Sequence, residues 1–416
     1  MTTQVKTMPN QATAPQKSGR VALWYGFLLI LIAVGLGAIG MRAVHGLAVT
    51  NLTSDVPWGS WVAFYIYFVG MSAGAFLLSS LIHVFDMRHL EKVGRDATLV
   101  AIISMILALT FILLDIGRMD RFWHAMVYGN ITSVLAYEVR FYVVYLLLLA
   151  AELWFAIRHD LVIAAQGTGL KASVARFLKF GSTDTSEKGK ERDHYWLKIL
   201  GAIGIPIAIF GVHGGTGLLF AVVKARAYWN TALFPVVFVV SALVSGTALV
   251  TAIYIIKTKV TGKELDASLV RSLAGWMILF LMIDVGLQFF EWIVGFYGLQ
   301  EEALASLYFM LQGGNAWVFW LVQLGIGVVL PVFLYAVKST RNSPTAMLIA
   351  AIAIVIGILG VRFNIVLPAL VHPLLPGLPE GQYHPALLEW AASAGIIALG
   401  MMLYTIAVRV LPMDEV

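Results

Sequence analysis

The chain has 416 residues, 60% of them hydrophobic and 12% charged, with a mean hydropathy of +0.86. A soluble domain has no place for that much apolar surface, so the composition points to an all-α polytopic membrane protein. There is no cysteine, which excludes cysteine-held iron–sulfur clusters, c-type haem and disulfides within this chain. The net charge of +5 gives no support for nucleic-acid binding.

Residues 1–20 are polar and contain Pro9 and Pro15, the pattern of a disordered tail. The apolar run that follows, Val21–Ala43, has no small-residue cleavage site and reads as a retained helix, not a signal peptide. Nine more runs of membrane-helix length follow. They are Pro57–His83, Ala97–Asp115, Val139–Ile157, Leu197–Val223, Pro235–Ile256, Leu269–Phe296, Ala316–Val337, Ala346–Val366 and Leu387–Val408. Most of the 28 Lys and Arg fall on the side of the tail, the even-numbered loops and the C-terminus. The positive-inside rule then places both termini in the cytoplasm. The one long polar loop, His159 to Tyr195, reads as a solvated linker. Prolines open the second and sixth spans, and Pro206 inside the fifth predicts a kink. Gly70 with Gly74, and Gly211 with Gly215, are small residues four apart that let helices approach closely. Trp58, Trp123, Trp229 and others near the outward ends read as interfacial belt residues.

The stretch Leu113 to Tyr142 is the densest polar cluster. Asp115, Arg118, Asp120, Arg121 and His124 lie where the third span leaves the bilayer, and Glu138 and Arg140 where the fourth enters. Such charges often serve as plain interfacial anchors. With both signs and aromatics interleaved, they also suit a pocket for a small amphipathic, redox- or proton-active ligand. Ionisable groups inside a membrane are costly and are functional candidates by default. His213 is the one histidine deep within a span, so a haem held between paired histidines is not expected. Asp284, Gln288 and Glu291, spaced i, i+4, i+7, share one helix face and read as a proton relay or an interhelical clamp. Glu152, fourteen residues past Glu138, falls near the same face and marks a route inward, or else pairs with Arg158. Arg362 and Glu389 read as anchors or as an ion pair with each other.

Several motifs in fixed order carry a resemblance. They are VPWGSWVAF at Val56–Phe64, SAG at Ser72–Gly74, LDIGR at Leu114–Arg118, NITSV at Asn130–Val134, IPIAIFGVH at Ile205–His213, and EW with RVLP between Glu389 and Pro412. With these the chain resembles the NrfD/PsrC family of membrane subunits of polysulfide reductase and related respiratory complexes, most nearly its ten-span HybB-type branch. The resemblance implies a quinone site (menaquinone or ubiquinone), with no haem and no metal, in a bundle of spans two to five over residues 57–223. A second four-helix bundle would follow over 235–366, flanked by helices at 21–43 and 387–408. It implies Asp115 as the acid–base group, His213 facing it and Arg118 supporting it, with Glu138 and Arg140 alongside; Trp61, Tyr65 and Phe68 would form the aromatic slot. It implies a periplasmic ferredoxin-like iron–sulfur partner, joined to a molybdopterin or hydrogenase catalytic subunit, at a bacterial inner membrane. Alternative complex III relatives carry His-Ala-Gly where this chain has Ser72-Ala73-Gly74, so their second pocket histidine is absent here. A proton-coupled transporter using Asp284, Glu291 and Glu152, and a passive anchor, are the competing readings.

Overall fold

The computed structural model describes residues 18–375 and 377–413. The tail expected at 1–20 falls almost wholly outside them. Ten helices are long and apolar enough to cross a membrane, and the described residues contain no strand. The α-helices in chain order begin with α1 (Ser18–His45), α2 (Ser60–Val84), α3 (Glu91–Asp115), short α4 (His124–Val127), α5 (Val134–Ala164), short α6 (Leu170–Leu178), α7 (Glu187–Pro206) and α8 (Gly214–Ala221). There follow α9 (Phe234–Thr261), α10 (Ala267–Tyr297), α11 (Glu301–Gln312), α12 (Leu330–Ala336), short α13 (Lys338–Arg341), α14 (Pro344–Val371) and α15 (Leu387–Val410). A π-helical stretch, Ile207–His213, joins α7 to α8 as one span. A second, Val318–Val329, leads into α12.

α2 is the axis of the molecule. Every residue from Ser60 to Ser80 is buried, and α3, α7, α9 and α14 pack around it. A helix apolar on every side is one enclosed on every side. It meets α9 backbone to backbone. A Cβ on Gly74 would collide with the Ala242 carbonyl, and one on Gly246 with the backbone at Gly74 and Ala75. The two backbones touch because neither carries a side chain there, as the small-residue spacing at Gly70 and Gly74 predicts.

Three expectations change. The kink foreseen at Pro206 is a widened π turn. Proline has no N–H for the preceding turn, and the ladder opens over the next seven residues and closes at His213. The linker foreseen at His159 to Tyr195 is largely helical: α5 runs on to Ala164, α6 follows, and α7 starts at Glu187 with Ser186 as its cap, accepting from Gly189 N at 3.1 Å. Arg158 holds these pieces together through Asp193 and Ser182, both at 2.7 Å. Polar composition concealed this helix because it extends past the apolar zone. Trp229, read as a belt residue, is buried, donates to the Ile365 carbonyl at 2.7 Å and stacks on Trp58.

Candidate functional site

The expected site residues fall into three groups of converging polar side chains. The first is at the end of α3. Asp115 is its last residue, and the Asp115 Oδ1 is shielded from solvent with no hydrogen-bond partner. The chain then turns away through residues 116–133. Arg42, near the end of α1, reaches the same point and donates to the Leu114 and Ile116 carbonyls at 2.8 and 2.7 Å. One turn below, Phe111 stacks on Phe64 and Phe68 with ring centroids 4.9 and 5.6 Å apart. Trp61, buried at the start of α2, has an indole N–H without a partner. Glu389 accepts from Ser60 Oγ at 3.0 Å, the Ala386 N–H at 2.9 Å, the Asn51 N–H at 3.2 Å, and the Tyr383 hydroxyl. Burial, then the nearby Glu389 charge, pushes the Tyr383 hydroxyl above its ordinary pKa.

The second place is the seam between α2 and α5. The Tyr142 hydroxyl is its hub, with Glu138 Oε1 at 2.5 Å, the Tyr65 hydroxyl at 2.6 Å and Thr216 Oγ1 at 3.1 Å. The other Glu138 oxygen is buried and unpartnered. Two turns past Glu138, the Tyr145 hydroxyl donates to the Ser72 carbonyl at 3.0 Å. Two turns further, Glu152 Oε1 accepts from Ser79 at 2.8 Å and Thr98 at 3.1 Å. Helical spacing explains the stack. Residues 138, 142, 145 and 152 recur every three, four or seven positions, and residues 65, 72 and 79 every seven, so each set faces the other helix.

The third lies among α9, α10, α14 and the two π-helical stretches. Gln288 donates to Asp284 at 2.7 Å, Gln323 to Gln288 at 3.0 Å, and Asn364 to Gln323 at 2.7 Å. Glu291 stands apart, accepting from Thr231 at 3.3 Å, and borders a small cavity with Gln288, Gln323 and Asn364. Arg362 is wholly buried. Its Nη2 donates to Ser241 Oγ at 2.9 Å and lies 3.4 Å from His213 Nε2, and its guanidinium rests over the Phe238 ring. Asp284 Oδ1, His213 Nδ1, Arg362 Nε and Arg362 Nη1 are all buried without partners.

The expected site residues are therefore divided. His213 does not share the neighbours of Asp115; it packs on Gly70, Arg362 and Phe238. Arg118 does not support Asp115 either. It is exposed and makes two bonds to Asp120, at 3.0 and 2.9 Å, because the chain turns outward after Asp115. That bonding holds the Asp120 carboxyl below the usual carboxylate range. Arg140 donates to the Gly129 carbonyl at 2.7 Å and leaves Glu138 to Tyr142. Glu152 is not paired with Arg158, whose partner is Asp193. Arg362 and Glu389 do not pair; each has its own partners. Trp61 and Tyr65 are both buried on α2, Trp61 with its indole N–H unpartnered and Tyr65 with its hydroxyl in the Tyr142 cluster. Among the described residues no group of three His, Asp or Glu is placed to hold a metal ion.

Sequence reading passed over Arg42, Tyr142, Tyr145, Thr216 and the Gln323–Asn364 pair. The tyrosines had a usable signal, since they sit at positions 4 and 7 after Glu138. Arg42 had none, because an arginine at a helix end is an ordinary interfacial residue.

The family model described as "Polysulphide reductase, NrfD" matches residues 48–373. A subunit of the selenate reductase of Mesobacillus selenatarsenatis is 38% identical over 404 residues, covering 94% of each chain. A putative membrane subunit of the dimethyl sulfoxide reductase of Halobacterium salinarum is 27% identical, over 94% of this chain and 91% of its own. The Hdr-like menaquinol oxidoreductase integral membrane subunit of Archaeoglobus fulgidus is 26% identical, over 92% of each.

Proposed function

The chain belongs to the NrfD family of polysulphide reductase-type membrane subunits, and from that premise we propose that it exchanges electrons and protons between a membrane quinone and an extrinsic iron–sulfur protein. The observation that carries this is the unshared, buried oxygen of Asp115, one turn above the stacked rings of Phe64, Phe68 and Phe111. A buried acceptor without a partner is costly unless a ligand or water completes it. The unpartnered Trp61 N–H supplies a donor at the neighbouring end of α2. A quinone fits such a lining: its ring is apolar and its two oxygens take up two protons with two electrons.

In this reading Asp115 holds and releases a proton at Oδ1, within reach of a ring oxygen. The Trp61 N–H orients the opposite oxygen, and the phenylalanine rings exclude water from the slot. Glu138, with one free oxygen and a short bond to Tyr142, is the next proton-holding group. The Tyr145–Ser72 pair and the Ser79–Thr98–Glu152 cluster extend that line along α2 and α5. Asp284, Gln288 and Glu291, with Arg362 and His213, form a separate polar line in the second half of the chain, proposed as a second proton path. Residues 57–223 then form the quinone bundle and 235–366 the second one. Both termini face the cytoplasm of a bacterial cell, as the charge bias requires, so Asp115 faces the periplasm. The partner there is a ferredoxin-like iron–sulfur subunit tied to a catalytic subunit, a molybdopterin enzyme or a hydrogenase. The names of the relatives support reductase complexes of this kind.

The test is quinol-linked turnover of the purified complex carrying Asp115→Asn. The complex should assemble and lose at least about a hundredfold in rate, a general acid–base contribution of ordinary size. Full turnover with intact assembly would overturn the assignment.

A further inference from the structure

The stretch matched by the family model, residues 48–373, contains α2 to α14 and excludes both α1 and α15. These two helices pack on each other, with Gly35 opposite Gly395: a Cβ on Gly35 would lie 2.6 Å from the Gly395 Cα. α15 also packs on α2 and α3. Each of the pair contributes one charged, buried side chain to this region: Arg42 reaches the end of α3, and Glu389 the start of α2. Arg42 of α1 is 2% exposed and Glu389 of α15 is 1% exposed.

Their geometry differs in kind. Arg42 spends Nε and Nη2 on the Leu114 and Ile116 carbonyls, the residues on either side of Asp115. It thereby satisfies carbonyls at a helix C-terminus, where the backbone leaves them open and a cation is favoured. Glu389 is held by four donors from three segments: Asn51, Ser60, and Tyr383 with Ala386. Neither bonds the Asp115 carboxyl directly; Arg42 flanks it through the carbonyls on either side, and Glu389 fixes Ser60 at the start of α2, the helix that packs along α3. Arg118, the cation that the local sequence offers, is turned out to Asp120.

We propose that the first and last helices complete the Asp115 site: Arg42 is a positioning residue that fixes the end of α3 and supplies the cation opposite Asp115, and Glu389 is the balancing anion. This rests on the quinone reading above and adds to it two residues from outside the family's matched stretch. A cation beside a carboxyl favours its ionised form and an anion disfavours it, so the two side chains act in opposite senses on the charge of the site.

The experiment measures quinol-linked turnover of the whole complex against pH for Arg42→Gln, Arg42→Lys, Glu389→Gln and Asp115→Asn. Arg42→Gln should lower neutral-pH turnover about tenfold or more and move the controlling limb of the pH profile to higher pH, by about one unit. Arg42→Lys keeps the cation and should return the limb to within about 0.3 unit of wild type. Glu389→Gln should move the limb the other way. Its amide can turn its oxygen to the two backbone N–H groups and its NH2 to the Ser60 and Tyr383 hydroxyls, which also accept. That variant therefore keeps the test open if Arg42→Gln does not assemble. Unmoved pH profiles in Glu389→Gln, and in Arg42→Gln where it assembles, would overturn the proposal. If Asp115→Asn is inactive and these profiles are unmoved, the proposal falls and the quinone reading stands. If Asp115→Asn is fully active, both fall.

Discussion

Removing one oxygen atom from Tyr142 should destabilise the protein more than its size indicates. In Tyr142→Phe the ring and its packing remain, so almost no apolar burial is lost. The hydroxyl, however, makes the short bonds of both Glu138 Oε1, at 2.5 Å, and the Tyr65 hydroxyl, at 2.6 Å. Thr216 keeps its bond to the Val212 carbonyl at 2.9 Å. Two buried polar groups are left unsatisfied at about 1–3 kcal/mol each, so the expected loss is about 2–6 kcal/mol. The same substitution at Tyr128, which is 71% exposed, should cost less than about 0.5 kcal/mol. Equilibrium denaturant titration of the reconstituted subunit in mixed micelles reads the difference. Tyr65→Phe combined with Tyr142→Phe should cost less than the sum of the two single changes by at least about 0.5 kcal/mol, because the second change removes an orphan that the first created. A loss below about 1 kcal/mol for Tyr142→Phe, or strict additivity in the double variant, would refute a closed hydrogen-bonded hub at this seam.

Three further predictions follow from the same geometry. Gly74→Ala places a methyl group into the Ala242 carbonyl and should cost about 1–3 kcal/mol or more by forcing α2 from α9, whereas Gly37→Ala, with open space around it, should be neutral or stabilising by up to about 1 kcal/mol; equal thermal midpoints for the two would contradict the packing. Asp266 caps α10 by accepting from the Ser268 and Leu269 N–H groups at 3.1 and 3.2 Å, and Lys92 at 2.7 Å, then Ser268, hold its carboxyl well below the ordinary range. A depressed carboxyl stabilises above its unfolded pKa of about 3.9 and loses that contribution as pH falls further. Asp266→Ala should thus cost about 1 kcal/mol at neutral pH, mostly through the cap, since the Lys92 pair is screened by water, with a gap from wild type that narrows below about pH 4; a gap independent of pH would contradict this. Finally, Glu152→Gln and Asp284→Asn, tested in sealed vesicles with quinol turnover running, should each slow proton movement at least about tenfold; unaltered acidification in both would remove the two proposed proton lines.

Much of the fold was legible because the bilayer imposes it. A membrane helix needs about twenty apolar residues, and ten such runs correspond to the ten candidate spans. The ends were less legible wherever a helix continues into water, as α5 and α7 do, because hydropathy reports the solvent and not the backbone. The rank of α2 could not be read at all: its apolar sequence resembles that of any span, and only the surrounding helices make it central. Within the site, Asp115, Glu138, His213 and the Asp284 stripe were legible as costly groups in an apolar setting. Their partners were not. Arg118 lies three residues from Asp115 and turns away, while Arg42, 73 positions upstream, bonds the carbonyls on either side of it; chain proximity does not report what α1 brings to the end of α3.

The measurement that bears most directly on the central claim is a titration of the purified chain, and of its Asp115→Asn variant, with a fluorescent quinol-analogue inhibitor. Saturable quenching in the wild type, lost in the variant with the helical content unchanged, is the result expected for a quinone site at the end of α3. Equal binding by both chains, or binding by neither with the fold intact, would contradict it.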